Sequence, residues 1–165
     1  MRAEAEVTAP RRARLYVLVG LPGSGKTTYA RTRLPLALRV SLDDLRQMLT
    51  NRDYVAELEG VVHAGGRALL DAVAREAAKT GTDVVFDATN LTRERRALPI
   101  EVARRHGLSP VAVWVTSAVS AALARNAARK RHVPEDVIAR FAAGLEPPSL
   151  DEGFEEVIRT EDEPG

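Results

Sequence analysis

The stretch Gly20-Leu21-Pro22-Gly23-Ser24-Gly25-Lys26-Thr27 constrains this chain more than any other. It matches G-x-x-x-x-G-K-[ST] in full, a pattern in which glycines let the backbone curl with its N–H groups pointing inward at an anion. A helix starting at the end of such a loop adds the partial positive charge of its N-terminus. The construction needs a strand before it and a helix after it. Residues 15–19 form an apolar run that reads as a strand buried on both faces, and a helix is expected over 26–33, stopped by Pro35. The pattern therefore predicts a seat for the phosphates of ATP at Gly20, Leu21, Pro22, Gly23, Ser24, Gly25, Lys26, Thr27 and Thr28. Lys26 is expected to reach the β- and γ-phosphate oxygens, and the Thr27 hydroxyl to complete the shell of a Mg²⁺ ion.

The rest of the chain continues as strands alternating with helices. Strands are expected at 38–41, 83–87, 111–115 and 154–158, and helices from about 41 to 49, over 54–80 up to Gly81, over 93–106 up to Gly107, over 118–129 and over 134–144. In the long stretch 54–80, Val61, Leu69, Leu70 and Val73 are taken as part of the apolar face, and Gly65-Gly66 as a weakening of the helix or a site of close packing. Such alternation predicts an α/β fold: three layers, α/β/α, around a mostly parallel five-stranded sheet, with a helical lid. At 165 residues this is one domain, divided as an arm over 1–13, the folded domain over 14–160 and an acidic tail over 161–165.

Chemistry beyond nucleotide binding needs a second set of residues. Asp87, ending the strand 83–87, is placed beside the cradle, where a carboxylate can organise Mg²⁺ or fix a turn with Thr89 and Asn90. Asp43 follows the strand 38–41 on the same sheet edge and could accept a proton from an attacking hydroxyl. Arg46, three residues on, could hold an anion. The alternative is plain: Ser41 or Asp43 caps a helix, Asp44 stabilises its first turn, and Arg46 is a surface charge. Arg125 and Arg129, four apart, share a helix face ahead of Pro134. They either deliver guanidinium groups to a transferring phosphate or complement their own helix dipole.

Composition excludes other chemistries. With no cysteine, the chain has no disulfide, no thiolate metal site and no cysteine nucleophile. His63, His106 and His132 are scattered singly, without zinc-site spacing, and Trp114 reads as a core residue. No leader or membrane span is read in the first residues, so a cytoplasmic location is expected. The net charge of +1 hides an asymmetry: residues 146–165 carry eight acidic residues against Arg159 alone. That segment bears −7 and residues 1–145 bear +8, a basic body that suits phosphate-rich ligands, although drift in an Arg-rich sequence gives the same count.

Taken together, residues 20–28, Ser41-Leu42-Asp43-Asp44-x-Arg46, the run from Asp87-Ala88-Thr89-Asn90 to Glu94-Arg95-Arg96, Arg125-Asn126-x-x-Arg129 and Val133-Pro134 resemble the 5′-hydroxyl polynucleotide kinases, a group of P-loop NTPases. The resemblance runs from about residue 15 to 158. It implies transfer of the ATP γ-phosphate, with Mg²⁺, to the 5′-OH end of a nucleic acid. By that likeness Asp43 is the general base and Arg46 holds the phosphate next to the acceptor's terminal nucleoside. Arg125 and Arg129 are the lid arginines, Arg129 against the transferring phosphate, and Asp87 with its neighbours lines the acceptor side. Leu42 departs from the pattern, because related kinases often carry a basic residue there. Two other readings stand beside this one: a kinase for a sugar, antibiotic or nucleotide-sugar hydroxyl, and a nucleotide-binding switch without catalysis.

Overall fold

The computed structural model describes residues 11–130 and 133–163. Five strands, β1 (Arg14–Val19), β2 (Leu38–Ser41), β3 (Val84–Asp87), β4 (Ser109–Trp114) and β5 (Glu156–Arg159), form one sheet in the order β2-β3-β1-β4-β5. Every neighbouring pair is parallel. The central strand β1 is apolar at successive positions because both of its faces are covered. Leu15 and Val17 pack with Leu70, Ala74 and Ala77 of α3 (Glu59–Thr80) and Ile100 and Ala103 of α4 (Arg93–His106). Tyr16 and Leu18 pack on the opposite face with Ala30 of α1 (Lys26–Arg33). Three further helices complete the chain: α2 (Leu42–Thr50), α5 (Val119–Ala127) and α6 (Glu135–Gly144).

Helix boundaries follow local chemistry. Ser41 caps α2 by accepting from the Asp44 amide at 3.3 Å, and Thr92 caps α4 by accepting from the Arg95 amide. Gly81 and Gly107 end α3 and α4 in the left-handed conformation. The apolar face of α3 differs from the expectation. Val61 and Leu69 are exposed, and the buried line is Val62, Gly66, Leu70, Ala74 and Ala77. Small residues carry this face because α2 presses close: a Cβ on Gly66 would stand 2.4 Å from the Leu42 side chain. The position where related kinases often hold a basic residue is thus a packing contact in this chain.

The acidic segment is not a free tail. Glu152 pairs with Arg96, Asp151 with Arg93, Glu155 with Arg12, Glu156 with Arg14 and Glu161 with Arg159. Tyr29 of α1 donates to Glu163 at 3.1 Å, so the contacts reach that residue as well. The arm ends earlier than expected: Ala13 is buried and Arg11 binds Asp83. Trp114 is only half-buried, with the Arg159 guanidinium 4.7 Å above its ring. Among the described residues no helix is long and apolar enough to cross a membrane.

Candidate active site

The cradle leaves β1 at Gly20 and turns into α1 at Lys26. Its Gly20 amide donates to Thr89 O and its Ser24 amide to Leu21 O, both at 3.0 Å. Gly23 is required twice over: its φ is +78°, and a Cβ there would lie 2.6 Å from the Ala122 carbonyl of α5. The lid helix therefore rests directly on the loop. Lys26 folds back over it, its Nζ donating to Gly20 O at 3.0 Å and Leu21 O at 2.7 Å. Burial lowers the Lys26 ammonium to about 8. Asp87 and Asp43 act against that shift and Arg129 adds to it. Those three groups, picked from distant parts of the sequence, thus converge electrostatically on Lys26. Ser24 Oγ is buried without a hydrogen-bond partner among the described residues, as a hydroxyl in a cradle built for an anion would be.

Asp87 closes the second side. Its Oδ2 accepts from Thr27 Oγ1 at 2.8 Å, which puts two hard oxygen donors together in a form that suits Mg²⁺. The same oxygen receives Arg39 from β2: Nε and Nη2 both lie at 2.8 Å, while Nη1 reaches Asp44 at 2.6 Å. Arg39 has no place in the sequence pattern. The available signal was a cation inside a short strand of otherwise uncharged residues.

Arg46 Nη1 donates to Asp43 Oδ1 at 2.5 Å, an i,i+3 pair on α2 in which the Asp43 side chain is exposed and that of Arg46 largely buried. Arg46 is also gripped in bidentate fashion by Glu59 of α3, at 2.7 and 2.9 Å, and these bonds hold the Glu59 carboxyl below the usual range. His63 lies 3.6 Å from Glu59 and 3.4 Å from Arg95. Burial and then the Arg95 charge lower the His63 imidazole. Glu59, His63 and Arg95 were not among the expected site residues.

Asn90 turns its side chain inward. It is buried with φ +45°, and its amide donates to Leu18 O at 2.8 Å and to Ala88 O at 3.3 Å, bracing the end of β1. Arg93 is paired with Asp151, and Arg96 is wholly buried on Glu152. Four arginines of the basic stretch, Arg12, Arg14, Arg93 and Arg96, are thus paired with the acidic segment. Pro22 is buried, while Thr28 is exposed in the first turn of α1.

Arg125 lies beside the cradle. Arg125 Nε donates to Ala121 O, and its Nη1 would be 3.8 Å from a Cβ placed on Gly25. Arg129 is exposed two residues past the end of α5, which stops at Ala127 and so does not carry both arginines on one helix face as expected. Asn126, buried near the end of α5, ties that helix to Val133, just ahead of α6. Its Nδ2 donates to Val133 O at 2.6 Å and its Oδ1 accepts from the Val133 amide at 2.8 Å. His132 lies outside the described residues.

Comparison with known proteins places this geometry. A family profile described as an AAA domain matches residues 15–148. Among solved structures, a chain of the Pnkp1/Rnl/Hen1 RNA repair complex superposes with a TM-score of 0.68 at 23% identity, over 86% of this chain and 47% of that one. The chain thus spans about half the length of that relative. A sugar kinase from Janibacter sp. matches with a TM-score of 0.61 at 19% identity, over 92% of this chain and 87% of its own. The APS kinase CysC of Mycobacterium tuberculosis, solved with AMPPNP and APS, gives 0.57 at 19% identity, over 93% and 92%. No curated protein matches. The fold shared by these three structures is the P-loop kinase fold.

Proposed function

We propose that this chain, which belongs to the AAA domain family, is an ATP- and Mg²⁺-dependent kinase that phosphorylates a hydroxyl, specifically the 5′-OH end of a polynucleotide. The observation that carries the reading is the Asp43–Arg46 pair at 2.5 Å, on a helix beginning beside the cradle and within the field of Lys26. A carboxylate next to an arginine, facing a phosphate seat, is what proton abstraction from a phosphate-flanked hydroxyl requires.

The cradle amides, Lys26 and Ser24 Oγ hold the nucleotide phosphates. Thr27 and Asp87 would hold Mg²⁺, which when bound supplies charge neutralisation at the phosphoryl oxygens. Asp43 takes the proton of the acceptor hydroxyl as that oxygen forms its bond to the γ-phosphorus. The bond from the γ-phosphorus to the β–γ bridging oxygen breaks, and ADP leaves. Arg125 and Arg129 stabilise the charge that grows on the transferring group. A kinase of this kind would work in the cytoplasm, beside its ATP.

The test is transfer of labelled γ-phosphate from ATP to a short oligonucleotide with a 5′-OH, comparing wild type with Asp43→Asn and a 5′-phosphorylated oligonucleotide as blank. Transfer that requires Asp43 and a free 5′ end supports the reading; ATP binding without transfer overturns it and turns the search to small-molecule hydroxyls, with a nucleotide switch left if none accepts. A second reading, a small neutral hydroxyl acceptor, is favoured by one observation. Arg46 is already neutralised by Glu59, so an anionic acceptor must share or displace that carboxylate. Salt separates the two, because phosphorylation of an oligonucleotide should weaken steeply as salt rises and that of a neutral sugar should not.

A further inference from the structure

We propose that Arg39 is a tethered counter-cation of the divalent-metal seat, and that a metal ion entering at Asp87 exchanges against its guanidinium. The seat itself rests on the kinase reading above. Arg39 lies on the edge strand β2, and the register Arg39↔Val85, Ser41↔Asp87 puts its side chain on the sheet face shared by Asp87. From there two of its nitrogens converge on Asp87 Oδ2, the same atom that takes the Thr27 hydroxyl hydrogen. One carboxylate oxygen thus collects both the hydroxyl suited to a metal and the cation that satisfies the carboxylate without one.

Asp87 is 5% exposed, and a carboxylate so enclosed needs a positive partner at all times. A guanidinium and a divalent ion both answer that need, but with Lys26 already beside them their charges repel. Asp44 supplies the way out. It is largely exposed and already accepts Arg39 Nη1 at 2.6 Å, so the guanidinium can leave Asp87 and stay paired at the water's edge. Arg39 is in these terms a positioning residue that acts through Asp87. It keeps the seat in shape and weakens its grip on a metal that arrives without nucleotide phosphates to share the charge.

The experiment measures Mn²⁺ binding by electron paramagnetic resonance, with ADP present, on the full chain as wild type, Arg39→Gln, Arg39→Lys and Asp87→Asn. Arg39→Gln is expected to bind Mn²⁺ about tenfold more tightly, having lost the competing charge, with Arg39→Lys near wild type. Its melting temperature should fall in chelator and recover with Mn²⁺ by more than that of wild type. Equal or weaker Mn²⁺ binding by Arg39→Gln overturns the proposal. Should that variant not fold, the Arg39 Nε–H proton resonance of wild type serves instead. It is expected to lose its protection from exchange as Mg²⁺ is titrated onto the ADP complex, and an unchanged signal overturns the exchange. If Asp87→Asn abolishes Mn²⁺ binding and Arg39→Gln leaves it unaltered, only this inference falls. If no form binds Mn²⁺, the metal part of the kinase reading falls with it.

Discussion

Lys26 and Arg96 are both withdrawn from solvent, at 9% and 0% exposure, yet the fold treats their charges in opposite ways. Arg96 is saturated: Nε and Nη2 meet the two oxygens of Glu152 at 2.8 and 2.7 Å, and Nη1 donates to Asn90 O at 2.9 Å. Lys26 has two backbone carbonyls and, among the described residues, no carboxylate within a salt bridge, and its ammonium is depressed to about 8 by burial. A paired buried charge fastens the C-terminal segment to α4, whereas an underpaired one waits for a ligand of opposite sign. The contrast separates the scaffold from the chemical end of the molecule.

Breaking the saturated pair should have the largest effect. Arg96→Met leaves the Glu152 carboxylate buried alone and is expected to cost about 3–5 kcal/mol in urea unfolding. Adding Glu152→Leu should return most of it, and a double variant no more stable than the single would refute the pairing. Lys26→Met should act in the reverse direction. The folded-state value lies below the ordinary 10.5, so between about 8 and 10.5 the unfolded chain binds more protons and stability rises with pH. Below pH 8 the whole penalty is present, and its removal should stabilise the protein by on the order of 3 kcal/mol while abolishing nucleotide binding. A variant that still follows the wild-type rise in stability above pH 8 would show that Lys26 is not its source.

Asn126 supplies the uncharged control, buried and satisfied in both directions. Asn126→Ala is expected to cost about 1–2 kcal/mol with no change in that pH slope. It should also lower kcat more than KM, since the end of α5 beside Arg125 loses its tie to Val133. The smallest effect concerns the ligand. ADP affinity should decline by under about tenfold per pH unit above pH 8, as Lys26 gives up its proton. A flat profile by calorimetry would mean that the phosphates hold that proton throughout.

The parts of this structure legible in the sequence are those whose information is local. The cradle, the apolar run of β1 and the glycines ending α3 and α4 each carry their physics within a few residues. Asp43 and Arg46 are three apart on one helix, and their pairing follows from spacing. What was hidden depends on neighbours distant in the chain. The buried face of α3 uses Gly66, Ala74 and Ala77, which hydrophobic size does not mark. Glu59 meets Arg46 across a helix–helix contact, and Arg39 meets Asp87 only through sheet register. A count of charges along the chain placed +8 beside −7, and the fold interleaved them.

That interleaving has a consequence before the fold exists. Unfolded, the chain is a block polyampholyte, with a long positive stretch followed by a negative end. Mutual attraction draws the acidic block back toward the basic one, favouring compact conformers in which residues as far apart as Arg12 and Glu155, 143 positions along the chain, can meet. The strand β5 is thereby guided to the edge of β4, and the ionic strength of the medium sets how strongly.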